Sequence, residues 1–376
     1  MPVERRRQEY TANWTPDEPD WKLFQDNRAI WDAVMAQCDS ARTSIRLEQY
    51  IFDTTGIGRR LLDLLAAKAR QGVDVRVLAD GIGSRGLIDS DGGQALLRSG
   101  GRITMLNGPW DVASNPIRNV HRLHRKTLIC DEAQLMVGGS CYADYMLQWR
   151  DTMIRVGGPL PPAIVAEFER TSRRAHDRRL DPHVTDAGDM QEGWTYAIGG
   201  PNLHPQADLR RSLPERIAQA RSSVLLTTPY LVPNRRLWRA IISAVENGAE
   251  VRILIPARSD HRLIDMLGRR FARALARRGV TIRQYTGGMI HAKLAQVDEA
   301  WSSVSSFNLD ILSGSLNFES GVFSTSPALH AALREQWDED WGLSVPLGTP
   351  SSHADRVGSD LGSRSDTLTT RRRSDG

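Results

Sequence analysis

The spacing of apolar residues predicts alternating helices and strands in the first half of the chain. Residues 29–35 carry apolar side chains at helical intervals, and residues 43–47 alternate between polar and apolar, as a half-buried strand does. Leucines recur on a helical period over residues 57–70, and this predicted helix ends at Gly72. Residues 73–78 form the next predicted strand. Strand, helix and strand at this spacing predict an α/β domain.

The second half of the chain repeats this plan. Three segments of the first half have counterparts of similar sequence in the second, namely residues 41–44 and 220–223, 72–78 and 248–254, and 101–103 and 279–282. A plan that occurs twice indicates two structural repeats. The predicted fold is therefore α/β, with two pseudo-symmetric lobes.

Changes in composition predict where the lobes begin and end. Residues 1–24 are polar and contain proline, so they are expected to form an arm ahead of a first lobe over 25–172. Residues 173–205 are rich in Arg, Asp, His, Gly and Pro and are predicted to be a linker to a second lobe over 206–346. Residues 347–376 have little apolar content, which predicts a disordered tail.

The overall composition is that of an ordinary globular protein. The chain has 376 residues, of which 40% are hydrophobic and 25% charged, and this length suits two or three domains. The net charge of +4 fits an anionic partner such as phospholipid or nucleic acid. Charge alone does not choose between these two partners.

Cysteine usage and the lack of long apolar runs predict the compartment. Cys38, Cys130 and Cys141 are odd in number and lack metal-ligand spacing, and Cys130 is expected to be a buried thiol. The N-terminal residues contain no apolar stretch typical of a signal peptide. No run approaches the roughly 18 apolar residues of a transmembrane helix. These features predict a cytoplasmic protein.

One motif occurs twice and gives the clearest functional signal. Both copies read H-x-K-x-x-x-x-D and lie 167 positions apart, and their residues form the predicted catalytic set: His124, Lys126, Asp131, His291, Lys293 and Asp298. In a strand, His and Lys at i and i+2 point to the same face, whereas the Asp has the opposite parity. That parity suggests a structural or lobe-bridging role for the two Asp residues. A single copy is readily a surface coincidence, but two complete copies are not.

The paired motif supplies what phosphodiester transfer without a metal requires. A histidine with a pKa near its reference value of about 6.5 is able to attack phosphorus when neutral, while a second, protonated histidine donates to the leaving alkoxide. A covalent phosphohistidine divides one difficult step into two easier ones. Lys126 and Lys293 are expected to hold the non-bridging oxygens. We find no carboxylate or Cys/His cluster at metal-ligand spacing, so neither metal nor cofactor is predicted.

The paired motif resembles the phospholipase D superfamily and, within it, the bacterial cardiolipin synthases. The resemblance covers roughly residues 25–345 and includes the stretches 47–52, 80–84, 149–151, 228–233 and 258–262. It implies two lobes, each a mixed β-sheet flanked by helices, with the active site at the lobe interface. It also implies His124 as the nucleophile and His291 as the acid. Many cardiolipin synthases carry membrane spans ahead of the catalytic region, and this sequence departs from them.

The resemblance also suggests a carboxylate partner for each histidine. Asp151 lies 27 positions after His124, and Glu319 lies 28 positions after His291, each in a sequence context like that of the family. We therefore assign Asp151 to His124 and Glu319 to His291, where each would fix the tautomer and orientation of the ring. The alternative is that both are ordinary surface or salt-bridged carboxylates.

The family places a Gly/Ser turn and an Asn after each motif to bind phosphate. The positions matching this pattern are Gly139, Ser140, Ser306 and Asn308. Ser305 stands where Gly is usual, and Cys141 stands where Asn is usual. Because a thiol donates a weaker hydrogen bond than an amide, the phosphate site is expected to be asymmetric.

Residues 266–278 have the pattern of an amphipathic basic helix, with Leu267, Phe271 and Leu275 on one side and arginines elsewhere. Such a helix either lies on an anionic membrane or packs its apolar side against its own sheet. We favour packing against the sheet.

These observations predict a phosphatidyltransferase of the cardiolipin synthase type, which joins two phosphatidylglycerols and releases glycerol. It is expected to act peripherally at the anionic inner face of the plasma membrane, and nucleic acid is not the expected partner. One alternative is a hydrolase that uses water as acceptor, either a phospholipase D or a nuclease. The other is a lipid- or nucleic-acid-binding scaffold with a decayed site.

Overall fold

A computed structural model describes residues 10–12, 19–108, 120–176, 189–200 and 209–349. The strands of the first half are β1 Tyr10–Ala12, β2 Asp20–Phe24, β3 Ser44–Gln49, β4 Asp74–Asp80, β5 Arg102–Leu106, β6 Thr127–Cys130, β7 Gln134–Gly138 and β8 Met153–Gly157. They form one sheet in the order β1-β2-β8-β7-β6-β3-β4-β5. Strands β3, β4 and β5 are parallel and the other neighbours are antiparallel, so the sheet is mixed.

The second half builds a nine-stranded sheet of the same design. Its strands are β9 Asp189–Gln191, β10 Trp194–Gly199, β11 Ser223–Thr227, β13 Glu250–Pro256, β14 Thr281–Tyr285, β15 Leu294–Val297, β16 Trp301–Ser305, β18 Glu319–Ser324 and β19 Ser344–Pro346, in the order β19-β14-β13-β11-β15-β16-β18-β10-β9. Apart from the edge strand β19, each strand has a counterpart at the same place in the first sheet. The predicted two-lobed α/β fold is confirmed. A separate parallel pair joins β12 Leu231–Val232 to β17 Leu309–Asp310.

Each repeat begins with a hairpin that the sequence analysis assigned to other segments. Strands β1 and β2 pair with each other, and β2 continues the first sheet by pairing with β8. Strands β9 and β10 do the same in the second sheet by pairing with β18. The side chains of Trp21 and Trp194 are buried, with ring centroids 6.4 Å apart. The arm prediction is therefore wrong for residues 10–12 and 20–24, and the linker prediction is wrong for residues 189–199 and for residues 173–176, which end a helix.

The remaining parts of these boundary predictions fall mostly outside the described residues. This holds for residues 1–9 and 13–18 of the arm, 177–188 and 201–205 of the linker, and 350–376 of the tail. At the start of the predicted tail, Leu347 packs against the second core and the Gly348 N–H donates to Gln284 Oε1 at 3.0 Å.

Most helices cover the outer sides of the sheets, and two pack into the core between the sheets through Ile164 and Leu329. They are α1 Asn27–Ser40, α2 Gly56–Arg70, α3 Asp91–Arg98, α4 Pro162–His176, α5 Leu209–Ala218, α6 Arg235–Glu246, α7 Arg262–Ala276, α8 Ile311–Ser315 and α9 Pro327–Gly342. Helices α1 to α3 form one core with the first sheet, and α5 to α7 form another with the second. Polar residues start several of them; Asp26 accepts from the Ala29 N–H at 2.9 Å and Asn234 from the Leu237 N–H at 3.0 Å.

A third core lies between the two sheets and fixes the lobes together. In β6, Leu128 and Cys130 face the helices, while Ile129 faces the other lobe with Leu135 and Val137 of β7. This alternation explains why every residue of β6 is buried: both faces of the strand meet apolar neighbours. The expected burial of Cys130 is confirmed. The lobe interface is therefore apolar core and not a loose contact.

Helix α7 meets its sheet with only part of its apolar surface. Leu275 is fully buried and Phe271 packs near Trp238 with ring centroids 6.2 Å apart, so the prediction that this helix packs on its own sheet is confirmed for this end. Leu267 remains 36% exposed. Within the described parts of the chain, no helix has the length and apolar character to cross a bilayer.

Candidate active site

The two halves exchange backbone contacts just ahead of each motif. The His124 N–H donates to Phe318 O at 2.9 Å, and Phe318 N–H donates to Arg122 O at 2.9 Å. Asp80, at the end of β4, accepts from the Leu123 N–H at 2.9 Å and so fixes the residue before the histidine. His124 is thus brought against the segment that leads into β18 of the other half.

The second motif is positioned in the same way with the halves reversed. The His291 N–H donates to Arg150 O at 2.7 Å, and the Arg150 N–H donates to Met289 O at 2.8 Å. The Arg150 guanidinium is itself buried and pairs with Asp340 of α9 at 2.9 Å. His291 therefore lies beside the segment that leads into β8 of the first half.

Because of this exchange, each histidine takes its carboxylate from the opposite half. His124 Nδ1 is 3.0 Å from Glu319 Oε2, and His291 Nδ1 is 2.7 Å from Asp151 Oδ2. The pairing predicted from sequence, Asp151 with His124 and Glu319 with His291, is wrong. The two carboxylates do support the histidines, as expected, but across the lobe interface.

The Glu319 carboxylate accepts an unusual number of hydrogen bonds. Ser306 Oγ donates to Oε2, and Ser313 Oγ donates to Oε1 at 2.6 Å. Asn317 Nδ2 lies 3.5 Å from the same oxygen. Burial alone would raise the pKa of Glu319, but His124 and these donors lower it below its ordinary value. Glu319 therefore stays ionised and oriented.

The Asp151 carboxylate is held more simply. Its Oδ1 accepts from the Thr152 N–H at 2.8 Å, and it packs directly against Gly139. A Cβ on Gly139 would lie 2.2 Å from Asp151 Oδ1, so only glycine leaves room for this carboxylate. Burial acts to raise the pKa of Asp151, and the charges of His291 and Lys293 outweigh it and lower the pKa.

Both histidines are buried and unprotonated at neutral pH. Burial lowers the pKa of His124 to about 4, with Lys126 lowering it further and Glu319 opposing. Burial also lowers the pKa of His291, followed by the nearby charge of Lys293. In the tautomer that donates Nδ1–H to its carboxylate, each ring carries its lone pair on Nε2, and in His291 this atom also lies 2.9 Å from Lys293 Nζ.

The two lysines lie beside their own histidines. Lys126 Nζ donates to His124 O at 2.6 Å and lies 5.2 Å from the centroid of the Tyr50 ring. Lys293 Nζ donates to His291 O and is 2.9 Å from both ring nitrogens of His291. Burial lowers the pKa of Lys126, and it lowers that of Lys293 to about 8. Each lysine also affects the pKa of the histidine in the other half, so the four groups share one site.

Aromatic rings line the site around the histidines. The Tyr50 ring meets the His124 ring edge-on at 5.1 Å, and the Trp149 ring lies 5.3 Å from that of His291. Tyr230 lies 6.4 Å from His291 and donates its hydroxyl to Asp260 Oδ1 at 2.6 Å. These residues belong to stretches that carried the family resemblance, but none had been given a role.

Asp131 and Asp298 lie away from this site. Asp131 follows β6, so the whole strand separates it from Lys126, and its carboxylate accepts from the backbone N–H groups of residues 42–44 ahead of β3. Asp298 makes the same contacts with residues 221–223 ahead of β11. The predicted catalytic role of both is wrong, and so is a lobe-bridging role. The structural role that strand parity suggested is confirmed.

The residues predicted to bind phosphate have mostly other partners. Ser140 is fully buried and its Oγ donates to Asn27 Oδ1 at 2.6 Å. The Ser306 hydroxyl is engaged by Glu319, and Gly139 lies behind Asp151. The side chains of Ser140 and Ser306 thus have protein partners, and the contact of these residues and of Gly139 with phosphate stays a prediction. So does that of Asn308, whose side chain hydrogen-bonds Asp310 and whose Oδ1, an acceptor, has no partner within the described residues.

Cys141, at the position matching Asn308, is buried next to the charged groups. Burial raises the pKa of its thiol, while Lys126 and Lys293 act in the opposite direction. The thiol is therefore neutral and lies within the field of both lysines. This position is where the expected asymmetry between the two halves appears.

Arg125 is a buried partner of the site that the sequence analysis missed. Its guanidinium is fully buried and pairs with Glu167 at 2.7 Å and with Glu48 at 3.2 Å. Its Nε donates to Glu319 O at 3.2 Å, across the lobe interface. A charged residue between His124 and Lys126 was the available signal, because alternate side chains of an extended segment point to opposite sides.

The fold and site define a phosphodiester-transfer enzyme of the phospholipase D type. Two lobes of one design each contribute a histidine and a lysine, and each supplies the carboxylate for the other's histidine. In the described part of the chain, no group of three or more His, Cys, Asp or Glu side chains is arranged to hold a metal.

Comparison with known sequences identifies the family. A family profile described as "Cardiolipin synthase, PLD-like domain" matches residues 34–168 and 213–341. The cardiolipin synthase of Clostridium perfringens strain SM101 is 29% identical over 337 residues, which cover 85% of this chain and 70% of that protein. Cardiolipin synthase A of Pseudomonas putida W619 is 33% identical over 308 residues, covering 79% and 63%. The chain belongs to the cardiolipin synthase family of phospholipase D-like proteins.

Solved structures support the fold. A phosphatidylserine synthase of Haemophilus influenzae Rd KW20 superposes with a TM-score of 0.67 at 14% identity, over 90% of this chain and 89% of that one. A polyphosphate kinase of Porphyromonas gingivalis gives a TM-score of 0.57 at 15% identity, over 85% and 46%. The predicted phospholipase D resemblance is confirmed. The prediction of a phosphatidyltransferase of the cardiolipin synthase type is confirmed by the family.

Proposed function

We propose that this protein makes cardiolipin from two phosphatidylglycerols through a phosphohistidine, with the residues described above in specific roles. His124 Nε2 forms a bond to phosphorus of the first lipid, and the bond from phosphorus to the glycerol headgroup oxygen breaks. His291 gives its proton to that oxygen, and glycerol leaves. The headgroup hydroxyl of the second lipid then attacks phosphorus, returns a proton to His291 and releases His124. The observation that carries the proposal is the pair of buried histidines, each anchored at Nδ1 by a carboxylate.

The difference between the two anchors supports His124 as the nucleophile. A nucleophile must be unprotonated, and burial holds the pKa of His124 at about 4. Glu319 is fixed by Ser306 and Ser313, so it positions the His124 ring without competing for its proton. A charged but fully engaged carboxylate also stabilises the positive charge that His124 gains as a phosphohistidine.

The contact between Lys293 and His291 supports His291 as the acid. A donor in the ring plane cannot be equally close to both nitrogens without colliding with the carbon between them, so the Lys293 ammonium lies over the ring. A cation in this position disfavours a proton on His291. When a phosphodiester draws Lys293 toward its oxygens, this repulsion decreases and the Asp151 carboxylate favours the protonated ring. Substrate binding thus favours protonation of His291, the proposed acid.

Lys126 and Lys293 supply the positive charge for the phosphoryl oxygens. Both are buried, so their charge acts through little water and is strong at short range. Cys141 replaces an amide at one side of this site and donates only a weak hydrogen bond. We assign the more strongly bound phosphoryl oxygen to the side of Asn308.

The proposed place of action is the anionic inner face of the plasma membrane. The net charge of +4 favours an anionic surface, and the three buried free thiols suit a reducing compartment. Phosphatidylglycerol is both the proposed substrate and an anionic lipid. A membrane that contains it therefore offers the protein its substrate and a negatively charged surface.

The test is mass spectrometry of the products formed from phosphatidylglycerol. Cardiolipin and glycerol should form with the wild-type protein, and His124→Ala and His291→Ala should each lose about a thousandfold or more in rate. His330→Gln is the matched control, since His330 contacts Ser302 and not the site. Phosphatidic acid as the main product would replace the transferase with a hydrolase. Intact lipid together with cleaved oligonucleotide would replace it with a nuclease.

A further inference from the structure

The first half of helix α7 carries apolar residues on its outer side as well as its inner side. The inner face contributes Gly268, Ala272 and Leu275 to the core. On the outer face, Leu263 is 66%, Met266 55% and Leu267 36% exposed. These three positions follow the i, i+3, i+4 spacing that places side chains on one stripe of a helix. Among the described residues, no other part of the same lobe covers this outer stripe.

A second exposed apolar pair begins helix α8. Ile311 is 46% and Leu312 51% exposed. Helix α8 follows β17 directly, and β17 pairs with β12, while the Leu231 carbonyl of β12 lies 3.5 Å from the Cβ position of Gly268 in α7. Both helices therefore rest on the same two-stranded pair. We call Leu263, Met266 and Leu267 of α7 with Ile311 and Leu312 of α8 the apolar rim.

Both helices of the apolar rim are connected to the active site through hydrogen-bonded residues. Tyr230, whose ring lies 6.4 Å from that of His291, donates to Asp260 shortly ahead of α7. In α8, Ser313 donates to Glu319, the carboxylate that holds His124. The second link starts within the rim helix itself, and the first starts from Asp260, two residues ahead of α7. The rim is therefore joined to the active site by short series of contacts.

The charges around the rim are positive. Arg262, Arg269, Arg270 and Arg273 are exposed on α7. The acidic residue of the first turn, Asp265, is half-buried and accepts from the Ser259 N–H at 3.0 Å. Single exposed apolar residues are common on protein surfaces. Five on two helices that contact the β12–β17 pair, together with the arginines of α7, fit a partner with an apolar interior and an anionic surface.

We propose that the apolar rim seats the protein on an anionic bilayer, with Leu263, Met266 and Leu267 entering the headgroup region and the arginines of α7 contacting lipid phosphates. The choice of a bilayer as the occupant rests on the proposed function, because the site joined to the rim takes phospholipid. A second copy of this chain would bury the apolar residues but would oppose two arginine clusters. Nucleic acid would match the arginines but not the apolar stripe.

The test measures binding to vesicles by flotation. Vesicles are made from phosphatidylcholine alone or from equal parts of phosphatidylcholine and phosphatidylglycerol. The wild-type protein should float with the mixed vesicles, and the combined variant Leu263→Gln/Met266→Gln/Leu267→Gln should bind at least about tenfold more weakly. Leu343→Gln removes an apolar residue that is 40% exposed outside the rim and should bind like wild type.

A second pair of variants tests the charge. Arg262→Gln/Arg269→Gln/Arg270→Gln should reduce the preference for phosphatidylglycerol by about a hundredfold, since each of the three basic residues contributes about 1 kcal/mol near an anionic surface and about 1.4 kcal/mol is a factor of ten. Arg277→Gln/Arg278→Gln changes two exposed arginines at the other end of the helix and is the control. Equal loss in both variants would show a nonspecific charge effect and overturn the assigned orientation.

Activity in detergent separates this inference from the proposed function. The rim variant should make cardiolipin from phosphatidylglycerol in mixed micelles at the wild-type rate but lose activity on vesicles. Wild-type protein that binds vesicles through the rim but is inactive in both assays would refute the proposed function and leave the docking surface standing. Unchanged vesicle binding by the rim variant overturns the docking surface. So does rim-dependent dimerisation or oligonucleotide binding without vesicle binding.

Discussion

The Nδ1 atom of His124 lies 3.0 Å from a carboxylate oxygen of Glu319, a residue 195 positions later in the other half of the chain. His291 has the reciprocal arrangement with Asp151 at 2.7 Å. The two histidines thus exchange their orienting groups across the lobe interface. Each His–carboxylate pair therefore joins one half of the chain to the other.

Double-mutant cycles of stability should detect the crossing. His124→Ala with Glu319→Gln should show a coupling free energy of about 1 kcal/mol or more, as should His291→Ala with Asp151→Asn. The uncrossed combinations, His124→Ala with Asp151→Asn and His291→Ala with Glu319→Gln, should be additive within about 0.5 kcal/mol. Urea unfolding of the single and double variants gives these values. Stronger coupling in the uncrossed pairs would contradict the pairing seen here.

Burial of His124 should make the protein lose stability in mild acid. Its folded pKa of about 4 lies below the value of about 6.5 expected when unfolded, so between these values the unfolded state binds more protons. Its contribution is complete above pH 6.5 and falls as the pH decreases toward 4, by about 3 kcal/mol in all. The free energy of unfolding, measured by urea titration across this range, should therefore rise with pH.

The variant His124→Gln should flatten that dependence, because the amide donates to Glu319 but does not titrate. His261→Gln changes a histidine whose side chain is 58% exposed and is the matched control. Equal slopes for wild type and His124→Gln would mean that other groups cause the acid sensitivity.

Transfer activity should decline as the pH rises through about 8. Lys293 has its pKa lowered to about 8 by burial and must be charged to hold the phosphoryl oxygens. The fraction of charged Lys293 falls above this pH, and kcat/KM, which reports the free enzyme, should fall with it. In Lys293→Arg the guanidinium stays charged, so the alkaline limb should disappear even if the maximal rate is lower. A limb that persists in this variant assigns it to another group.

Gly139→Ala should impair the function of His291 although His291 itself is unchanged. The new methyl group would lie 2.2 Å from Asp151 Oδ1 and must displace that carboxylate from His291. We expect kcat to fall about tenfold or more, by analogy with the loss of other orienting partners. Gly342→Ala, where a Cβ meets no atom within 4 Å, should keep full activity. Steady-state kinetics on phosphatidylglycerol provide the comparison, and an active Gly139→Ala enzyme would show that Asp151 does not orient His291.

Asp131→Ala should reduce stability but not catalysis. The carboxylate accepts from the N–H groups of residues 42–44, and its loss should cost about 1–3 kcal/mol. Asp298→Ala should behave alike because it serves residues 221–223. Unfolding in urea measures the loss, and kcat/KM at a temperature where the variants are folded should match wild type. A large drop in kcat/KM would return these residues to the active site.

The repeat in the sequence was enough to predict the two lobes, because strand and helix periods are local signals. The hairpins β1–β2 and β9–β10 were missed for the same reason: they are short, and polar segments surround them. Trp194, Tyr196 and Ile198 alternate with smaller or polar residues inside the predicted linker. That alternation was the signal for a buried strand. It was outweighed by the composition of its neighbours.

The residues that carry the chemistry were predictable from the sequence, but the pairing of each histidine with its carboxylate was not. His124, Lys126, His291 and Lys293 are identified by spacing, because i and i+2 in an extended segment share a face. Each pair lies just ahead of its strand, β6 or β15, and not within the strand as predicted. Sequence separation suggested that a carboxylate 27 positions away serves its own histidine. The contacts of His124 with Phe318 and of His291 with Arg150 reverse that choice. They depend on how two lobes dock, which no local pattern records.

The crossed carboxylates make the chain behave as a dimer whose subunits were joined end to end. Neither repeat on its own contains both a histidine and the carboxylate that orients it. An isolated repeat with these crossed pairs would therefore lack an oriented histidine. Joining them replaces an encounter between two molecules with a fixed neighbour, at an effective concentration that free subunits do not reach. It also removes the need for symmetry. The amide of Asn308 in one repeat and the thiol of Cys141 in the other show that the two repeats are not chemically identical at this position.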